Sequence, residues 1–194
     1  TYRNAMSFID DVLIYSETFE DHLADLRAFF LRLRKFHVSL KPTKCNFFAK
    51  SASYLGFTLS RHGIEPVKAK VEAICNIPPS QSLTQLRSFV QMVNFYRRFL
   101  KRLAVVAKPL TDLTRKEAGP FKPWANDSPE QQAFDEVKAL LTSAPLLRHP
   151  RPYLPFVLEI DACEDGLSGI LCQDFPVEGL DDLPDAQAGR RATV

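Results

Sequence analysis

The sequence lacks closely spaced cysteines. Its four cysteines stand at positions 45, 75, 163 and 172, and none of them belongs to a C-x-x-C pair. Cys45 and His37 alone do not make up the ligand set of a structural zinc site, so zinc binding is not expected. Cysteines this far apart are typical of reduced, mostly packed thiols in an intracellular protein rather than of a disulfide framework.

Long apolar runs are also missing. No run approaches the roughly 20 residues that a membrane helix requires, and no N-terminal stretch resembles a secretory signal. We therefore expect no membrane partner. Apolar residues make up 45% of the 194 residues and charged residues 25%, an ordinary globular composition for one domain or two small ones.

Acidic residues are absent between Asp25 and Glu65, where eight lysines and arginines fall. The net charge of +2 conceals this asymmetry, because residues 1–158 hold 23 basic and 14 acidic residues (+9) and residues 159–194 hold 2 and 9 (−7). A basic body suits a polyanionic partner, since lysine and arginine neutralise phosphates and release counterions. A solvated helix face with lysine-rich loops explains the same charges, and the charge pattern alone does not separate the two explanations.

An acidic pair interrupts two short apolar runs near the N-terminus. β-branched and aromatic residues lie on both sides of Asp10-Asp11 over residues 5–15, which predicts a hairpin. Asp-Asp is not the favoured Asn-Gly or Asp-Gly turn pair, which indicates another purpose for the carboxylates. Two hard oxygen ligands on a tight hairpin suit the Mg²⁺ ions of a phosphoryl-transfer site, although an Asp-Asp turn is more often simply solvated.

Periodicity and capping patterns predict alternating helices and strands over the rest of the chain. The predicted helices cover residues 19–37, 66–78, 82–102 and 128–142. The predicted strands cover residues 45–48, 53–59, 156–161 and 167–171, with turns at 49–52 and 61–63. Capping boxes open at Ser82 and Ser128, and the first helix has one face that is expected to be buried. Beyond residue 173 the chain becomes acidic and rich in Pro, Gly and Ala, which predicts disorder.

The order of several short motifs is more specific than any one of them. The motifs are FIDDVLIYS (8–16), LKPTKC (40–45), YLGF (54–57), NFYRRF (94–99), LLTSAPL (140–146) and FVLEIDA (156–162). This ordered series resembles the gypsy-like LTR-retrotransposon reverse transcriptases, and the resemblance covers most of the chain.

The resemblance implies an α+β fold made of four segments. Residues 1–62 would be the C-terminal part of the polymerase palm, and residues 63–118 a helical thumb. Residues 119–173 would be a connection and the incomplete start of an RNase H-like α/β domain, and residues 174–194 match nothing in the family. The fingers, the early palm and the third catalytic aspartate are expected upstream of this sequence. The remaining RNase H ligands are missing as well.

Site residues follow from the same resemblance. Asp10 and Asp11 match the metal-binding aspartates of the polymerase, and Asp161 matches the first carboxylate of the RNase H metal site, so the implied cofactor is Mg²⁺. Lys44 matches a lysine near the leaving pyrophosphate that is a plausible general acid; the alternative is a surface cation.

Two further segments imply contact with an RNA/DNA primer-template duplex. Tyr54, Leu55 and Gly56 match the turn that grips the primer terminus, where glycine permits close approach of a backbone. Arg97 and Arg98 end the helix that matches the thumb. Positive charge at a helix C-terminus also complements the helix dipole, so this explanation stays open.

The sequence departs from the family pattern at three positions. Phe8 replaces the usual Tyr and keeps its packing, Gln91 stands where Gly is usual and is expected to disturb thumb packing, and Cys163 replaces Ser. We therefore expect a fragment of an RNA-directed DNA polymerase with RNase H that is inactive as an isolated chain. The alternative is a non-enzymatic remnant that binds nucleic acid weakly or does nothing. A structural interaction module is the weakest hypothesis, because it gives Asp10 and Asp11 no role.

Overall fold

The computed structural model describes residues 4–163, 166–175 and 191–193, and the chain divides into two compact units, residues 1–55 and 56–194. Within the described ranges it forms six α-helices and eight strands, which confirms the α+β class. None of the helices in the described part of the chain has the length and apolar character needed to cross a bilayer.

The first unit contains a hairpin, one long helix and one strand. β1 (Ala5–Phe8) pairs antiparallel with β2 (Asp11–Ile14), so the predicted hairpin is confirmed. α1 spans Phe19–Lys35 and β3 spans Ser51–Tyr54. The helix begins after Thr18, whose hydroxyl accepts a hydrogen bond from the Asp21 N–H at 3.1 Å, as expected for an N-cap threonine.

The strand predicted at residues 45–48 is wrong. A 3₁₀ turn (Pro42–Lys44) is followed there by irregular chain, and Phe48 has a left-handed backbone with φ of 55°. The Phe48 ring lies 5.5 Å from that of Phe19, and the Phe47 ring lies 6.1 Å from that of Phe30. Aromatic packing against α1 therefore replaces the strand pairing that the apolar sequence suggested.

The buried face predicted for α1 is also largely wrong. Leu26 is buried, but Leu23, Phe30 and Phe36 are 45%, 42% and 59% exposed. Residues of this face and Phe47 line an apolar groove of about 590 Å³. The apolar periodicity identified the face correctly, but within this chain most of it stays open to solvent.

The second unit is built around one helical core. Its helices are α2 (Lys68–Cys75), α3 (Leu83–Phe95), α4 (Leu103–Val106), α5 (Lys108–Asp112) and α6 (Pro129–Thr142). α6 packs against α2, α4 and α5. The most deeply buried side chains of this core are Leu86, Phe89, Leu110, Phe134, Val137 and Leu141.

Both predicted N-cap serines are confirmed, but neither forms the full capping box, because Gln85 Oε1 accepts from the Gln81 N–H and Gln131 Oε1 accepts from the Trp124 indole N–H. The Ser82 and Ser128 hydroxyls accept hydrogen bonds from backbone N–H groups three residues further on, at 3.3 and 3.2 Å. The helix expected to continue from Ser82 to residue 102 is shorter, because α3 ends at Phe95. A separate 3₁₀ turn (Arg97–Phe99) follows it.

A turn divides the single strand predicted at residues 53–59. Leu55 and Gly56 both have positive φ, 50° and 86°, and the chain continues as β4 (Phe57–Ser60). β5 (Gly63–Pro66) pairs antiparallel with β4. No strand was predicted there, since residues 61–63 were expected to form a turn that in fact covers only 61 and 62.

The segment after α6 runs back along β5. The Ile64 N–H donates to the Leu147 carbonyl at 2.7 Å, and the Leu147 N–H donates to the Ile64 carbonyl at 2.9 Å. Gly63 has φ of 148°, and a Cβ at this position would lie 2.1 Å from the Leu147 oxygen. Glycine is therefore required for this close approach.

The C-terminal part is an antiparallel sheet. β6 (Phe156–Cys163) pairs with β7 (Gly166–Asp174), which confirms both predicted strands. Most of the predicted disordered tail lies outside the described residues. β8 (Arg191–Thr193) pairs with β7, so the expectation of disorder is wrong for these three residues and for Asp174, which ends β7.

Candidate active-site and nucleic-acid-binding residues

The β1–β2 hairpin places two carboxylates at its tip. Ile9 and Asp10 form the turn, and Asp11 is the first residue of β2, opposite Phe8. The turn is therefore Ile9-Asp10, one residue earlier than the predicted turn at Asp10-Asp11. Asp10 and Asp11 are both exposed, so their oxygens are accessible to a ligand from solvent.

The turn itself is strained. Ile9 has φ of 50°, a conformation that β-branched residues rarely adopt. Strained backbone of this kind persists only where the surrounding structure fixes it, and it is common at functional sites. Here the strain lies next to the two aspartates.

These carboxylates fit part of a magnesium site. Carboxylate oxygens are the hard ligands that Mg²⁺ prefers, and two neighbouring aspartates on a hairpin provide two of them. No group of three or more His, Cys, Asp or Glu side chains in the described part of the chain is placed to hold a metal. The hairpin therefore offers an incomplete set of ligands.

Lys44 is the last residue of the 3₁₀ turn that begins at Pro42, and it is exposed. The preceding loop fixes this turn, because the Lys44 N–H donates to the Lys41 carbonyl at 2.9 Å. An exposed ammonium suits a general acid as well as a surface cation.

The Tyr54-Leu55-Gly56 segment forms a tight turn. Leu55 is exposed at the turn, and a Cβ on Gly56 would lie 3.1 Å from two ring carbons of Phe95. Positive φ and this close contact both favour glycine at position 56.

Arg97 and Arg98 lie just beyond the end of α3, and both are exposed. The Arg98 guanidinium lies over the Phe57 ring, 5.3 Å from its centroid. Phe57 in turn stacks on Phe95, with ring centroids 5.0 Å apart and an angle of 7° between the planes. Phe95 is 51% exposed.

Phe57 and Phe95 were not predicted as site residues from the sequence. We call Phe57, Phe95, Arg97 and Arg98 the aromatic–arginine surface. Its signal in the sequence was the aromatic pair Phe95-Tyr96 directly before the basic pair Arg97-Arg98, a combination that is common where proteins meet nucleic acid.

Asp161 lies on β6, opposite Ser168 in the register with β7, and it is exposed. Glu159 occupies the same face of the strand, because alternate residues of a strand point the same way. Leu158 and Ile160 point to the opposite face and are 59% and 65% exposed. The structure thus places the predicted RNase H aspartate in a strand, together with a second carboxylate.

Comparison with known families matches both ends of the chain. Residues 2–59 match the family described as reverse transcriptase (RNA-dependent DNA polymerase). Residues 126–181 match the RNase H-like domain found in reverse transcriptase. The second match extends into the part of the chain that was predicted to lie beyond the family resemblance.

Retrotransposon polyproteins are similar over nearly the whole chain. The Drosophila melanogaster Pol polyprotein from transposon opus is 33% identical over 174 residues, which cover 86% of this chain and 17% of that protein. The Pol polyprotein from transposon gypsy of the same organism is 30% identical, with the same coverage. The Schizosaccharomyces pombe transposon Tf2-3 polyprotein is 24% identical and covers 88% of this chain.

Solved structures show the same fold. The foamy viral protease-reverse transcriptase dRH in complex with double-stranded DNA aligns with a TM-score of 0.78 and 21% identity, over 87% of this chain and 30% of that chain. The foamy viral protease-reverse transcriptase in complex with an RNA/DNA hybrid aligns with a TM-score of 0.72 and 22% identity.

The fold and these matches define the chain as part of a reverse transcriptase with an RNase H-like domain, two families that generally use Mg²⁺. Within that class, the chain belongs to the gypsy-like retrotransposon Pol polyproteins. It is a fragment, since it spans 17% of the length of the opus and gypsy polyproteins.

Proposed function

We propose that this chain supplies part of the active site of an RNA-directed DNA polymerase, together with a surface that holds the primer-template duplex. The observation that carries the proposal is the β1–β2 hairpin, which presents Asp10 and Asp11 at a strained, exposed tip. An interaction module would have no use for two exposed carboxylates on such a turn.

Asp10 and Asp11 would hold Mg²⁺. When bound, Mg²⁺ would activate the attacking 3′ hydroxyl and stabilise charge on the reacting phosphates. We propose that the third carboxylate comes from the preceding part of the Pol polyprotein, because the described residues contain no third ligand near the tip. Lys44 would donate a proton to the leaving pyrophosphate.

The aromatic–arginine surface would contact the duplex. Arg97 and Arg98 are exposed cations suited to phosphates, and Phe95 offers an exposed apolar ring beside them. Gly56 lies against that ring, which brings this glycine of the proposed primer-gripping segment to the same surface. The structures of foamy viral protease-reverse transcriptase in complex with double-stranded DNA and with an RNA/DNA hybrid support this assignment.

The segments implied by the resemblance remain our domain proposal, with palm to residue 62, thumb to 118, and then the connection and start of RNase H, whose predicted end at 173 the family match moves to 181. Asp161 would be the first metal ligand of the RNase H site. Its other ligands would come from outside the described residues, as they do for the polymerase site.

The isolated chain is expected to extend no primer on an RNA template and to cut no RNA in a hybrid, with either Mg²⁺ or Mn²⁺. An incomplete set of carboxylates should hold the two metal ions too weakly for phosphoryl transfer. Primer extension and hybrid cleavage assays on residues 1–194 check this, with a complete gypsy-like reverse transcriptase as the positive control. Templated incorporation that disappears in Asp10→Ala would show that the chain holds a complete site.

A further inference from the structure

One carboxylate connects both ends of the β1–β2 hairpin to α1. Asn4 directly precedes β1, and Ser16 follows β2 after one intervening residue. The Asn4 side-chain amide donates to Asp25 Oδ2 at 2.8 Å, and the Ser16 hydroxyl donates to the same oxygen at 2.7 Å. Asp25 lies on α1, so the hairpin is bound at its open end to the helix.

A histidine extends this arrangement. Ser16 Oγ also lies 3.3 Å from Nδ1 of His22. A hydroxyl has one hydrogen, and Ser16 donates it to Asp25, because an ionised carboxylate can only accept. His22 Nδ1 therefore carries a proton and donates to Ser16. We call Asn4, Ser16, His22 and Asp25 the Asp25 network.

The hairpin depends on contacts at its open end. A two-stranded hairpin alone is marginally stable in water, and the Ile9 turn adds backbone strain at the opposite end. The Tyr15 N–H donates to the Asn4 carbonyl at 3.0 Å, which extends the strand pairing up to the Asp25 network. Hydrogen bonds from Asn4 and then from Ser16 lower the pKa of Asp25, consistent with an ionised acceptor.

We propose that Asp25 is a positioning residue for the polymerase reaction. By accepting from both ends of the hairpin, its carboxylate fixes the pairing of β1 with β2 and thereby the position of the Asp10-Asp11 tip. The inference rests on the proposed function, since a positioning role requires a metal-binding tip.

The test uses the full chain and two NMR measurements. Amide hydrogen exchange of β1 and β2 reports on hairpin opening, and Mn²⁺-induced broadening at Asp10 and Asp11 reports on metal binding. Asp25→Ala is expected to speed exchange of these amides about tenfold or more and to raise the Mn²⁺ concentration needed for half-maximal broadening. Asp25→Asn retains an acceptor oxygen and is expected to stay close to the wild type in both measurements.

Asp21→Ala is the matched control. It removes one negative charge from the same helix, but Asp21 accepts from Thr18 and not from the hairpin. The inference is overturned if Asp25→Ala leaves both measurements unchanged, or if Asp21→Ala changes them equally. If Mn²⁺ broadens the tip signals of the wild type and of Asp25→Ala at the same concentrations, the positioning role is overturned and the metal site is not. No broadening in the wild type overturns the proposed metal site, and the positioning role with it.

Discussion

Raising the salt concentration from 50 to 200 mM is expected to weaken binding of duplex DNA by about 150-fold, if four cations each neutralise one phosphate. The four are the exposed side chains that follow α3: Arg97, Arg98, Lys101 and Arg102. Contacts with phosphates carry no sequence information, so binding should not depend on DNA sequence.

Replacing Arg97 and Arg98 by Ala should remove two of these contacts. The log–log salt slope should become less steep by about 1.8, and the same change in salt should then weaken binding only about 12-fold. Fluorescence anisotropy at several salt concentrations measures the slope. The matched control is Lys116→Ala with Lys122→Ala, which removes the same charge from exposed positions between α5 and α6 and should leave the slope nearly unchanged.

A third variant in the same binding assay, Phe95→Ala, separates aromatic contacts with the duplex from ionic ones. Phe95→Ala removes no charge, so it should lower affinity equally at every salt concentration and leave the slope as it is. If Arg97 and Arg98 only complement the dipole at the end of α3, their replacement should reduce stability slightly and leave the slope unchanged. Absence of binding even at low salt would contradict the proposed duplex surface for this chain.

Phe134→Ala is expected to lower the free energy of unfolding of the second unit by about 3–5 kcal/mol. Phe134 is 1% exposed in the middle of α6, with its ring 4.5 Å from that of Phe89. Removing it leaves a cavity that the neighbouring helices cannot easily fill. Such a loss is a large fraction of the roughly 5–15 kcal/mol that stabilises a typical domain.

An intrinsic tryptophan can report on unfolding of this core. Trp124 is its single tryptophan, and its ring lies 5.9 Å from that of Phe134, so tryptophan fluorescence during denaturant unfolding reports on this core. Phe156→Ala is the control, because Phe156 is 52% exposed and its loss should cost less than about 0.5 kcal/mol. Equal effects of the two substitutions would contradict the assignment of the core.

Elements with strong local signals could be predicted from the sequence. Ser128, Pro129 and the periodic apolar residues that follow fix the start and the buried face of α6 without help from distant contacts. The predicted strand at residues 45–48 failed for the opposite reason. Its phenylalanines pack onto α1, and this tertiary contact overrides the local preference for a strand.

The candidate site, too, could be predicted from the sequence only in part. The position of Asp10 and Asp11 on a hairpin followed from the flanking apolar runs, but the strained Ile9 turn did not, since no sequence rule places a β-branched residue at positive φ. Phe57 and Phe95 are 38 residues apart in sequence, and only the folded chain shows that they stack beneath Arg98. The Asp25 network likewise joins residues on three separate segments.

Mn²⁺ titration of the full chain, followed residue by residue in NMR spectra, tests the central claim most directly. The claim is that the β1–β2 tip is part of a metal site of a polymerase. Amide signals of residues 9–12 should broaden first, and the broadening should be lost when Asp10 and Asp11 are both replaced by Asn, which keeps the side-chain size but removes the charge. Uniform broadening across the chain, or broadening at the tip that survives the double replacement, would contradict the claim.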